Sequence, residues 1–192
     1  GIDDCAEARG RLIPVPVVNQ EKPVDELEWD VWSERGAQGV RVCPAFYGAY
    51  PNGAAKSLAA ELSARGWFLQ IPLLTYYGGP HRGASLAQAK ALAEACGEAP
   101  VLIVGAGRNE IVELTNALKA HANLYLDVGN LSTGPGLEII AAAAGAGRLV
   151  CGRGFGVSCI TAFRDMVLYS GLPDDAIEAI LFDNASRLLG LA

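Results

Sequence analysis

Arg148-Leu149-Val150-Cys151-Gly152-Arg153-Gly154-Phe155 is a short apolar run that ends in glycines and an arginine, with a helix-like segment close behind it. A parallel strand buried on both faces lacks polar alternation and delivers its C-terminal end to a rim where loops carry function. Five earlier stretches repeat the layout, at residues 11–18, 39–44, 68–74, 100–105 and 124–128. Helical signals separate them: residues 23–35 closed by Gly36, 54–65 closed by Gly66, a Ser85-capped run to Cys96, 108–121, and an Ala-rich run over 137–144. Two helices finish the chain, 158–169 and 173–189. The second presents Ile177, Ile180, Leu181, Ala185, Leu188 and Leu189 on one face.

Strands alternating with helices through short connections make a parallel α/β sheet. An open doubly wound sheet accommodates six strands, whereas a (β/α)8 barrel needs eight and typically ~250 residues, so the strand count taken alone favours the open sheet. The 11–18 stretch contains Pro14 and Pro16 and suits an edge, because proline cannot donate to a ladder.

The 192 residues are 51% hydrophobic, enough for one large core and for one domain rather than two. A net charge of -6, with Lys and Arg scattered singly, offers no basic patch, so nucleic acid is excluded as a partner. No apolar run reaches the ~18 residues of a membrane span, and Gly1-Ile2-Asp3-Asp4 does not read as a signal peptide. A cytoplasmic protein without a membrane partner is expected. Cysteines 5, 43, 96, 151 and 159 form no C-x-x-C pair and read as reduced, buried thiols. The single methionine is Met166, so residues are expected ahead of Gly1.

Four segments carry a resemblance. Asn123-Leu124-Tyr125-Leu126-Asp127, Ala144-Gly145-Ala146-Gly147-Arg148-Leu149-Val150-Cys151-Gly152, Asp183-Asn184-Ala185-Ser186-Arg187-Leu188-Leu189-Gly190-Leu191 and Gly39-Val40-Arg41-Val42-Cys43-Pro44 are similar to segments of one family. They resemble, in turn, the seventh strand, the "GadRllfGSD" segment at the eighth, the terminal "gNaarLlgl" helix and the "GvrlhP" strand of the amidohydrolase-related family of metal-dependent hydrolases and decarboxylases. The resemblance implies a (β/α)8 TIM-barrel type of α/β fold. Strands three to eight, about six β/α units plus a C-terminal helix, would form a single domain over residues 1–192. The first two strands, with the family's H-x-H metal pair, would precede Gly1 or be absent. An incomplete barrel leaves edges open. Further residues, or a partner chain in a homo-oligomer, are therefore expected to cover the gap.

By the same resemblance the family's metal-ligand positions fall on Pro72 for the histidine ending the fifth strand, Gly105 for that ending the sixth, and Gly154 for the aspartate of the eighth. None carries a side-chain donor. No cofactor is expected from this chain. A divalent metal such as zinc would bind only if residues ahead of Gly1 supply ligands. The implied reaction is hydrolysis or decarboxylation of a small organic acid or cyclic amide, with a degenerate metal site. The alternative is a non-catalytic, metal-free protein that binds a small anion or serves assembly.

The residues expected at the rim are His81, Asp127 and Arg153 for chemistry, with Tyr47, Tyr76 and Arg82 for substrate binding. His81 shares its loop with Tyr76, Tyr77 and Arg82 and suits an acid, a base or a ligand; a solvated loop histidine is the alternative. Arg153 either clamps a carboxylate or phosphate bidentately or pairs with Asp127. Tyr47, Tyr50, Tyr76 and Tyr77 either wall an aromatic or acyl pocket or pack their own loops. His121 closes a helix at the opposite end of the sheet and reads as structural. A separate reading takes Gly105-Ala106-Gly107, with Asp127 twenty residues after Gly107, as a dinucleotide fingerprint; Glu110 stands where that fingerprint has its third glycine.

Overall fold

The computed structural model of the chain describes residues 12–44, 52–73, 83–131, 134–152 and 160–191. Five strands form one sheet: β1 Gly39–Arg41, β2 Phe68–Pro72, β3 Val101–Val104, β4 Leu124–Asp127 and β5 Leu149–Val150. All neighbouring pairs are parallel, and the spatial order is the chain order. A doubly wound sheet reverses its order at a switch point. This sheet never does, so it is the wall of a partial (β/α) barrel, and the open sheet favoured by the strand count is set aside.

The expected strand at 11–18 is reduced to one parallel bridge, Val17 opposite Arg41. Around it Arg41 N–H donates to Pro16 O and Val18 N–H donates to Arg41 O, both at 2.8 Å. The next rung would need an N–H at residue 16, which proline lacks, so the ladder stops.

Helices precede, connect and follow the strands: α1 Trp29–Glu34 ahead of β1, α2 Asn52–Arg65, α3 Leu86–Cys96, α4 Ile111–Ala120 and α5 Gly134–Ala144 between strands, and α6 Ile160–Leu168 after β5. Ser85 and Gln88 form the capping box that starts α3, each side chain bonding the other's backbone N–H. The helix expected over 23–35 is split. A 3-10 turn, Val24–Glu26, is followed by extended backbone at Leu27 before α1 begins. The indole N–H of Trp29 donates to Val24 O at 2.7 Å, and Trp29 packs edge-on to Trp32 and against Trp67. Burying that indole with its donor satisfied holds the break.

Along each strand the two faces differ. Val40, Leu69, Ile71, Val101, Ile103, Leu124, Leu126 and Leu149 are fully buried in the large core under the helices. Their alternates point into the barrel, where Phe68, Leu102, Val150 and Leu188 form a second, smaller cluster edged by Val104 and Tyr125.

The last helical unit runs α7 Asp174–Glu178, a π-helical turn Ala179–Asp183, then α8 Asn184–Leu188. In the π turn Asn184 N–H bonds Ala179 O rather than Ile180 O. Ile180 O is thereby released, and it accepts Cys151 N–H at 2.9 Å. Beside it the fully buried Asn184 donates from Nδ2 to Ala146 O at 2.8 Å and Leu149 O at 2.7 Å. A helix therefore takes up the edge groups of β5.

Candidate functional site at the carboxyl rim

The rim is built from the C-terminal ends of β2 to β5. Pro72 pairs with Val104 and Asp127 with Val150, which sets these residues at one level of the barrel. Of the six residues expected at the site, Tyr47, Tyr76, His81, Arg82 and Arg153 lie outside the described residues, as does Gly154. Asp127 is described. It ends β4 on the inward face and is half-buried.

Its Oδ1 accepts N–H groups from Gly129 at 2.8 Å and Gly152 at 3.0 Å. One carboxylate oxygen thus ties the exit of β4 to the exit of β5, and Gly152 immediately precedes Arg153. Gly129 is needed for this closeness, and Gly152 eases it. A Cβ on Gly129 would overlap the carbonyl oxygen of Gly152, and one on Gly152 would sit 3.3 Å from Asp127 Oδ2. Asn130 extends the tie sideways, donating from Nδ2 to Gly105 O at 3.3 Å. Cys151 lies beside the clamp, where burial and then the Asp127 carboxylate push its thiol up to about 11. It remains a thiol at neutral pH and is no nucleophile.

Pro72 and Gly105 stand at neighbouring strand ends, and Gly105 adopts φ +75°. Neither side chain has a donor atom for a metal. Among the described residues no three of His, Cys, Asp or Glu gather into a metal-holding group. The described residues therefore do not fit a divalent ion held in the family's manner. The dinucleotide reading meets an obstacle as well: Glu110 Oε2 accepts Gly107 N–H at 3.0 Å, so a carboxylate occupies the amide a pyrophosphate would need. At the opposite end of the sheet His121 caps α4, and its carbonyl accepts from Arg148 Nη1 at 2.7 Å, a structural arrangement.

Sequence reasoning missed Arg41 and Gln70, which face inward side by side with Arg41 Nη1 donating to Gln70 Oε1 at 3.2 Å. The signal was the period-two alternation of Val40-Arg41-Val42 and Leu69-Gln70-Ile71, whose apolar members face the helices.

A family model described as "Amidohydrolase" matches residues 2–191. An uncharacterized TIM-barrel protein from Bordetella bronchiseptica is similar in structure, with TM-score 0.71 and 18% identity over 100% of this chain and 72% of that one. A 2,6-dihydroxybenzoate decarboxylase from Rhizobium superposes with TM-score 0.72 at 12% identity, covering 99% of this chain and 74% of its own. A 5-carboxyvanillate decarboxylase from Sphingomonas paucimobilis gives TM-score 0.72 at 9% identity, covering 100% of this chain and 72% of its own. No match was found among curated protein sequences. These identities speak for the fold, whereas the family model spans nearly the whole chain: the chain belongs to the amidohydrolase family.

Proposed function

We propose that the chain acts on a small organic acid at the carboxyl rim, as a hydrolase or decarboxylase that does not use the family's metal arrangement. The observation that carries this reading is the Asp127 clamp, which fixes Gly152, the residue before Arg153 in the sequence, against the end of β4. Membership of the amidohydrolase family and structural neighbours that include decarboxylases support the reaction class. Arg153 holds the substrate carboxylate through its two-pronged guanidinium. His81 exchanges the proton, with Arg82 beside it, and Tyr47 and Tyr76 wall the substrate. Asp127 positions Gly152, the residue before Arg153.

The experiment is turnover of a panel of small carboxylic acids and cyclic amides, read by carbon dioxide release and by ring opening. Wild-type protein is compared with Arg153→Ala and His81→Ala. Turnover abolished by both substitutions supports the reading, and turnover indifferent to both overturns it. The absence of donor side chains at Pro72 and Gly105 favours a second reading, a protein that binds a small anion without transforming it. Binding sensitive to Arg153→Ala without any turnover would establish that one instead.

A further inference from the structure

Arg41, the last residue of β1, is half-buried and points into the barrel. Val40 and Val42, its neighbours in sequence, are fully buried in the core. Register continues across the sheet from Arg41 to Gln70 on β2, and from Gln70 to Leu102 on β3 and Tyr125 on β4. Leu102 and Tyr125 belong to the inward cluster, so the row reads cation, amide, aliphatic, phenol along one curved wall. Among the described residues the only side-chain bond of Arg41 is Nη1 to Gln70 Oε1, and no carboxylate pairs with it. Another half-buried guanidinium behaves differently. Arg148 gives Nη1 to two backbone carbonyls at the opposite end.

A guanidinium has five N–H donors in a fixed fork, and leaving most of them without an acceptor in a half-buried place is costly. We infer that Arg41 is an anion-binding residue inside the barrel, taking the carboxylate of a small acid whose apolar or aromatic body lies against the half-buried Val104 and Tyr125. Gln70 is a positioning residue. Its Oε1 accepts from one Nη1 hydrogen and fixes the rotation of the fork. The remaining N–H pairs face a carboxylate edge-on, the bidentate geometry that an ammonium cannot reproduce. This deepens the reading of the carboxyl rim as a site for small acids and rests on it, while adding a contact from the wall below.

The test uses benzoate as probe and benzamide as its uncharged isostere, with binding followed by calorimetry and thermal shift. Benzoate binds the wild-type protein and benzamide does not. Arg41→Met weakens benzoate about tenfold or more, Arg41→Lys restores only part of it, and Gln70→Leu gives an intermediate loss. In the wild-type protein, addition of benzoate moves the Arg41 Nε–H resonance, a readout that stands even if Arg41→Met fails to fold. Benzoate affinity unchanged in Gln70→Leu and Arg41→Lys, with a still Nε–H resonance, overturns the inference. If Arg153→Ala abolishes benzoate binding while these variants leave it intact, only the role of Arg41 falls. If turnover itself is absent, it is the rim reading that falls.

Discussion

One oxygen of Asp127 accepts two backbone N–H groups, from Gly129 and Gly152, in a half-buried setting. Hydrogen bonds to an ionised acceptor are the stronger kind, and removing the acceptor strands two donors. Asp127→Ala is therefore expected to lower unfolding free energy by roughly 2–3 kcal/mol in urea titration. A residue acting only on substrate would leave that midpoint where it is. The thiols give a pH prediction. Burial pushes Cys96 from 9.0 up to about 11, and burial with the Asp127 charge does the same to Cys151. A raised folded-state value means that the native protein holds the proton more tightly than the unfolded chain. The contribution is thus complete below pH 9 and is lost as pH rises towards 11. Stability should fall across that window, and Cys96→Ala should flatten the fall by on the order of 2 kcal/mol once its own cavity cost is subtracted. A slope unchanged in Cys96→Ala would show that Cys96 does not carry it.

At the level of elements, legibility followed how local the cause was. The cap at Ser85 and the end of α3 at Cys96 depend on neighbours in sequence, and both are where sequence patterning puts them. Pro14 and Pro16 marked an edge, and the edge is there, although Pro16 shortens it to a single bridge. The π turn at Ala179–Asp183 has no local signal, because it follows from the pairing of Ile180 O with a strand thirty residues earlier in the chain. Asn184 lay within the stretch that resembles the family's terminal helix, yet only the fold shows it stapling that helix to Ala146 and Leu149. Asn123 does the same job at the start of β4, donating to Ala93 O at 2.9 Å and Ala99 O at 3.0 Å. Asn184→Ala strands two carbonyls and should cost roughly 2–4 kcal/mol. It should also raise amide exchange at Cys151 selectively, since the π turn that accepts its N–H loses its anchor. Exchange at Cys151 that stays slow in the variant would mean that something other than this helix covers the β5 edge.

At the scale of the molecule, sequential parallel order places every strand's carboxyl end at one rim and divides the apolar residues into two unequal layers. Among the described residues the layer under the helices is continuous from Val18 to Ile180, whereas the inward cluster has four buried members. The site itself was legible only in outline: Asp127 could be placed at a strand end, but its two amide partners come from separate loops that only the pairing of β4 with β5 brings together. The two layers also differ in how they answer a cavity. Leu126 is fully buried among neighbours that belong to rigid strands and helices, so truncating it leaves a void that cannot collapse. Leu102, 7% exposed, belongs to the small inward cluster, where its strand neighbours Val104 and Tyr125 are only half-buried. Leu126→Ala should thus cost about 3–4 kcal/mol and Leu102→Ala about 2 kcal/mol, by urea unfolding under the same conditions. Equal costs, or the reverse order, would mean that the inward face is as tightly packed as the outer core, leaving no room beside Val104 and Tyr125 for the body of a bound acid.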